Sequence, residues 1–174
     1  MPVIQADARH VDAVWTLLQR CRDALAREGI FQWDDVYPTR ATVEHDVRDG
    51  ALWVLEVDGD VLAAITLNEH QDVRYAEIDW HEPEPALVVH RLCVDPDIQG
   101  RGLAHQLMAH GEALAAERGY RSIRLDAYSA NPRSLSFYRR RGFREAGTCN
   151  FARRTELFYL FELGIGDPTA RVTE

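Results

Sequence analysis

After an apolar run the chain reads Val94-Asp95-Pro96-Asp97-Ile98-Gln99-Gly100-Arg101-Gly102-Leu103-Ala104, and a helical pattern follows at once. Closely spaced glycines let successive backbone N–H groups turn outward at the start of a helix, where the dipole adds positive potential. Such a loop receives anions such as phosphate. A tight turn is the plain alternative for an isolated Gly-x-Gly. A nucleoside-triphosphatase loop would need Gly-x-x-x-x-Gly-Lys-Ser/Thr, and the chain contains no lysine. A dinucleotide fold would need a third glycine where His105 stands and a shorter path from the strand, although Asp126 lies near the distance for a ribose contact. Further along, Asn131, Ser134 and Tyr138 fall at i, i+3 and i+7 and share one helix face. The first half groups acids with aromatics: Trp33, Asp34, Asp35, Tyr37, Asp79 and Trp80. Carboxylates and aromatic faces both attract ammonium groups, which points to a cationic amine as ligand; solubilising surface and ordinary core are the alternatives.

The elements that must position these residues follow from periodicity. A short strand is expected at Val3–Gln5. Val11, Val14, Leu18, Cys21 and Leu25 then recur at helical steps between Asp7 and Gly29. Residues 30–38 read as a loop and 39–48 as a second helix. Leu52–Val57 and Val61–Leu67 form a hairpin about Asp58-Gly59-Asp60. A polar stretch, 69–85, leads to Ala86–Val94, whose continuous apolar character suits a central strand covered on both faces. A helix from Leu103 to the cap at Gly119, a strand at Ser122–Ala127 and a helix opened by Asn131-Pro132 and closed by Gly142 come next. Phe143–Cys149 and Leu157–Leu163 complete the strands. The fold class is α/β (α+β), with a mixed, mostly antiparallel central sheet flanked by helices.

Composition narrows the function. All 20 basic side chains are arginine, against 28 acids. Residues 1–100 hold 20 acids and 8 arginines, residues 101–154 hold 4 acids and 11 arginines, and the net charge is −8. This is no protein-wide positive field, so nucleic acid is not an expected partner. Cys21, Cys93 and Cys149 lack metal-site or disulfide spacing, so no metal is expected and a reducing, cytoplasmic setting is. No signal pattern or membrane-length apolar run is present, so no membrane partner is expected. The length suits one domain over residues 1–174.

Gln99-Gly100-Arg101-Gly102-Leu103-Ala104 matches the Gln/Arg-x-x-Gly-x-Gly/Ala signature of the GCN5-related N-acetyltransferases, in place after a central strand. Asn131-Pro132-Arg133-Ser134-Leu135-Ser136-Phe137-Tyr138-Arg139-Arg140-Arg141-Gly142-Phe143 resembles that family's second helix and turn. Both blocks, in order and with a strand between them, make the resemblance specific over residues 86–148. The first half, with Gln32-Trp33, Tyr37-Pro38 and Ile78-Asp79-Trp80, is similar to uncharacterised bacterial members.

The resemblance implies an acyl-CoA N-acyltransferase fold and an acyltransferase that moves acetyl from acetyl-CoA to a primary amine of a small acceptor, by direct attack in a ternary complex, without a metal. The pyrophosphate would rest on the backbone N–H groups of Gln99, Gly100, Arg101, Gly102, Leu103 and Ala104. Arg101 is the arginine placed nearest phosphate, while Arg118, Arg121 and Arg124 read as a solvated helix face. The backbone of Leu92, Cys93 and Val94 would pair with the pantetheine arm, with the Cys93 side chain a buried thiol rather than a nucleophile. Asn131 and Ser134 would contact the arm, and Tyr138 would protonate the departing thiolate. A thiol near pKa ~8.5 and a phenol near ~10 lie close enough for that transfer. Helix capping by Asn131 and a core position for Tyr138 are the structural alternatives.

Trp33, Tyr37, Asp79, Trp80 and His90 are the acceptor-site candidates. Family members that carry a glutamate on the central strand use it as base; here that stretch is apolar save His90, which could equally be structural. Glu69, Glu77 and Asp79 are further candidates, so the base stays unassigned. A homodimer through exposed edge strands is compatible with the resemblance. The alternative class is a non-catalytic CoA-binding or regulatory module of the same fold.

Overall fold

A computed structural model describes residues 1–166 of the chain; the last eight residues of the expected domain lie outside the described ones. The strands are β1 (Ile4–Gln5), β2 (Leu52–Val57), β3 (Asp60–Asn68), β4 (Ala86–Val94), β5 (Ser122–Tyr128), β6 (Arg144–Cys149) and β7 (Phe158–Gly164). The helices are α1 (Val11–Arg27), α2 (Arg40–Arg48), α3 (Leu103–Glu117) and α4 (Pro132–Arg140). Strand order is β1-β2-β3-β4-β5-β7-β6. Pairs β1·β2, β2·β3, β5·β7 and β6·β7 are antiparallel and β4·β5 is parallel, so the sheet is mixed and mostly antiparallel. It is flanked by helices, as the periodicities predict.

Two compact units divide the chain. The first comprises Met1–Leu67 and His90–Gly111; the second comprises Asn68–Val89 and the chain from Glu112 onward. In the first unit, α1 buries Val11, Val14, Leu17, Leu18 and Cys21 against Val43 of α2, Leu52 and Val54 of β2, and Cys93 of β4. Each fully buried aliphatic side chain contributes roughly 1.5–3 kcal/mol. The β2–β3 turn is a two-residue one, with Asp58 at φ 52° and Gly59 at φ 89° between the paired Val57 and Asp60. Both central residues adopt the left-handed conformation that matches the twist of a hairpin.

In the second unit, β5 pairs along its whole length with β7, from Ser122↔Gly164 to Tyr128↔Phe158. Its parallel register with β4 covers only Ala86↔Ser122, Leu87↔Ile123 and Val88↔Arg124. Ile123, Leu125 and Ala127 alternate with Ser122, Arg124 and Asp126, so one face of β5 is apolar and the other polar. The polar stretch at 69–85 contains a 3-10 turn, Val73–Glu77, that the sequence reading leaves out. Asp72 caps it by accepting from the Arg74 N–H at 3.0 Å. The aromatic ring of Tyr75 anchors it beside Val88 and Leu160.

Candidate active site

The glycine loop lies in the first unit, directly after β4. Asp95 accepts from the Asp97 N–H at 3.0 Å and so caps a 3-10 turn, Pro96–Ile98. Arg20 of α1 clamps that turn by bonding Asp95 at 2.5 Å and Asp97 at 2.8 Å. Gln99 returns a bond to the Val94 carbonyl at 3.3 Å. Gly100 and Gly102 follow at φ 81° and 83°, and a Cβ on either would meet nothing within 4 Å. Glycine is therefore required by the backbone conformation rather than by crowding. The carbonyl of Gly102 accepts from the Gln106 N–H at 3.0 Å and starts α3. The first N–H groups of a helix have no acceptor within it, so here they add to the positive end of the dipole beside an exposed loop. Gln99, Gly100, Arg101 and Gly102 are exposed, and Leu103 and Ala104 are half-buried.

Leu92 and Val94 of β4 are half-buried, while Cys93 is buried. The neighbouring Cys21 thiol and burial together push the Cys93 thiol well above its ordinary pKa, so it stays protonated. His90 is half-buried on the same strand. Trp33 packs on the first unit's core. Tyr37 is exposed, but its hydroxyl accepts from Arg91 Nη1 at 2.5 Å and its ring lies 5.7 Å from the guanidinium. Arg91, within β4, stands at φ 50° and pairs at 2.6 Å with Asp46, which is buried and also accepts from the Thr66 hydroxyl at 3.0 Å. Asp46 and Arg91 thus hold the loop that carries Tyr37, a link the sequence reading missed because it joins residues 45 positions apart.

Asn131, Ser134 and Tyr138 lie together on α4 in the second unit. Asn131 is buried and accepts from the Ser134 N–H at 3.2 Å, while the Ser134 hydroxyl donates to the Asn131 carbonyl at 3.0 Å. Tyr138 is buried among Phe137, Phe143 and Phe161, with ring centroids 5.2, 5.7 and 6.0 Å away. Burial first, and then the negative charge of Asp126, pushes its phenol above the ordinary pKa, so it carries its proton at neutral pH.

Asp126 sits on the polar face of β5, half-buried, and its Oδ2 accepts from the Tyr75 hydroxyl at 2.8 Å. In the sequence this acid stands out only by its distance from the glycine loop, which suits a ribose ligand. The signal for more was present: charged residues alternate with apolar ones on an otherwise buried strand.

Trp80 is half-buried and Asp79 exposed. The Trp80 indole donates to the Tyr75 carbonyl at 2.9 Å, and its face lies 4.5 Å from the Arg124 guanidinium. Arg124 is not the solvated arginine of the sequence reading. It is 2% exposed and is held by Glu162 at 3.2 Å, Gln71 at 3.1 Å, the Glu82 carbonyl at 2.8 Å and Glu84. Its strand position on the polar face of β5 explains the difference. Glu162, itself buried, also accepts from the His81 and Glu82 N–H groups and so pins the segment before β4. Among the described residues, no group of three or more His, Cys, Asp or Glu side chains is placed to hold a metal ion, and no helix is long and apolar enough to cross a membrane.

An exposed glycine loop opens a long helix directly after β4, in a mixed and mostly antiparallel sheet, and together they define an α+β architecture. The model of the Acetyltransferase (GNAT) family matches residues 13–143, well over half of the chain, and the chain belongs to that family. Over 85 residues it is 38% identical to a mycothiol acetyltransferase of Clavibacter sepedonicus, an alignment covering 48% of this chain and 28% of the relative. The chain thus spans less than half the length of the curated relatives it matches. In fold it is similar to a GNAT-family acetyltransferase of Streptococcus agalactiae, with a TM-score of 0.79, 21% identity and 94% of each chain covered. It is also similar to the PaiA N-acetyltransferase of Thermoplasma acidophilum, solved with coenzyme A, at TM-score 0.72 and 12% identity over 94% of this chain and 98% of that one.

Proposed function

We propose that this chain is an N-acetyltransferase that moves acetyl from acetyl-CoA to a primary amine of a small, cationic acceptor by direct attack in a ternary complex, in the cytoplasm. The observation that carries the reading is the pair of left-handed glycines, Gly100 and Gly102, exposed at the start of α3. Backbone donors there suit a pyrophosphate, and membership of the family supports the acetyl thioester as its cargo. The T. acidophilum relative in fold was solved with coenzyme A, which supports the same cofactor.

In this reading the N–H groups from Gln99 to Ala104 hold the pyrophosphate. The backbone of Leu92, Cys93 and Val94 aligns the pantetheine arm and helps polarise the thioester carbonyl. Asn131 and Ser134 contact the arm, and Tyr138 gives its proton to the departing sulfur. Acidic and aromatic residues such as Asp79 and Tyr37 favour a cationic acceptor.

Two measurements test the reading. Acetyl-CoA at about 100 times its Kd should stabilise the fold by about 2.7 kcal/mol, or roughly 5–10 °C in Tm, whereas NAD should not. Thiol release from acetyl-CoA should then appear with at least one of a panel of amino acids, polyamines, aminoglycosides and peptides. Tighter binding of NAD than of acetyl-CoA would overturn the cofactor assignment. Binding of acetyl-CoA without thiol release across the panel would mark a CoA-binding module instead.

A further inference from the structure

An alkylamine has a pKa near ~10 and is mostly an ammonium ion at neutral pH, so it must lose a proton before it can attack a thioester. β4 supplies no carboxylate for this, since it reads Ala-Leu-Val-Val-His-Arg-Leu-Cys-Val. The second unit does supply one. Asp126 stands on β5 two residues beyond Arg124, where the register with β4 ends, and it is half-buried rather than closed off. We propose that Asp126 receives the acceptor's ammonium group and takes its proton, and that Tyr75 is the positioning residue that fixes the carboxylate. The proposal rests on the acetyl-transfer reading above and names the base which that reading lacks.

Geometry favours Asp126 over the acids considered from sequence. Tyr75 is 2% exposed and donates to Oδ2 at 2.8 Å, so the carboxylate is held by a phenol that cannot swing away. Tyr75 is in turn fixed by its place in the core beside Val88 and by the Trp80 indole on its carbonyl. Asp79 and Glu77 are exposed, and Glu69 accepts from the Tyr120 hydroxyl at 2.6 Å.

Among the described interactions, Asp126 acts on Tyr75 from the 3-10 turn, Tyr138 from α4 and Cys149 from β6, while Asp72 and Arg74 act on Cys149 beside it. Arg124 on the same face is occupied by Glu84 and Glu162. The charge of Asp126 adds to burial in raising the pKa of Tyr75, Tyr138 and Cys149, so its field reaches all three. The same negative potential stabilises an arriving ammonium.

The ammonium gives one proton to Asp126, and the freed lone pair forms the C–N bond at the thioester carbonyl. The C–S bond then breaks, its electron pair leaves on sulfur, and Tyr138 protonates that sulfur. The second proton lost by nitrogen restores Tyr138 through water, and Asp126 releases the first to solvent, so one proton is released overall. Neutralising Asp126 also removes the charge that holds the Tyr138 proton in place. Deprotonation of the amine and proton donation to sulfur are therefore coupled in the productive sense.

The test uses the full chain with acetyl-CoA and a probe panel of spermidine, glucosamine and alanine amide, reading thiol release from pH 6 to 10 and acetyl-CoA affinity by calorimetry. Asp126→Asn should lower kcat about 10²–10⁴-fold at neutral pH, with a residual rate that climbs toward the pKa of the amine, and should leave acetyl-CoA affinity within about twofold. Tyr75→Phe should move the acid limb of kcat/KM to higher pH, because it removes a bond to the charged carboxylate; Asp126→Glu should recover part of the rate. In Asp126→Asn an ultraviolet titration should show the two buried phenols, Tyr75 and Tyr138, ionising at lower pH than in the parent, a readout that needs no acceptor. Turnover in the parent matched by Asp126→Asn across the pH range would overturn the assignment of Asp126 alone. Absence of turnover in the parent with every amine would overturn the transfer reading and this proposal with it.

Discussion

Tyr138 combines two properties that pull against each other. Its buried aromatic setting fixes the hydroxyl in one place, which a proton donor needs, yet burial and Asp126 raise its pKa and make it a weaker acid than a surface tyrosine. A sulfur leaving group near pKa ~8.5 would take a proton from such a phenol only as charge develops on it, or once Asp126 has been neutralised. Tyr138→Phe should accordingly lower kcat by about 10²-fold or more while acetyl-CoA affinity changes by less than about threefold. The phenylalanine ring fits the same aromatic neighbours, so thermal stability should hold. Equal turnover in the two proteins at every pH would remove Tyr138 from the chemistry.

Among the elements, β4 departs from regular geometry at one residue. Arg91 sits at φ 50° within it, a conformation a non-glycine residue adopts at a cost of about 1–2 kcal/mol. Its side chain offsets that cost through bonds to Asp46 and Tyr37. Asp46→Ala leaves a guanidinium with only 10% side-chain exposure without its carboxylate, and should reduce stability by about 3–5 kcal/mol in urea unfolding. A loss below about 1 kcal/mol would mean that water replaces the carboxylate.

β4 also shows where sequence reading stops. Its limits, the cap at Asn131 and the hairpin at Asp58-Gly59 are legible because they rest on local rules: apolar runs, side-chain capping and positive φ. The glycine loop is legible for the same reason. The Arg91–Asp46 pair, the Tyr75–Asp126 bond and the burial of Arg124 by Glu162 are not, because each joins residues brought near by the sheet rather than by the chain. Charge alone made Arg124 look like surface; only its strand parity, shared with Asp126, could have corrected that.

For the whole molecule, pH stability is set by phenols as well as carboxylates. Burial, followed by Asp126, raises the pKa of Tyr75 and Tyr138, and burial with Glu69 pushes Tyr120 up to about 12. A phenol near its ordinary ~10 in the unfolded chain loses its proton first, so this contribution is complete below about pH 10 and declines as pH rises toward the folded values. Unfolding free energy should therefore drop from about pH 10 upward, and Tyr75→Phe should make that decline shallower. A flat profile from pH 9 to 12 would contradict the burial of these hydroxyls.

The early end of the β4–β5 register has a consequence of a different kind. From Leu125 to Tyr128, β5 is bonded to β7 on one side, while its described parallel register with β4 stops at Val88↔Arg124. Unpaired backbone on a strand is a template for association with other chains. If the pantetheine arm lies along this region, the cofactor also shields that template. Protein made in cells depleted of coenzyme A would then aggregate more readily, independently of any loss of catalysis.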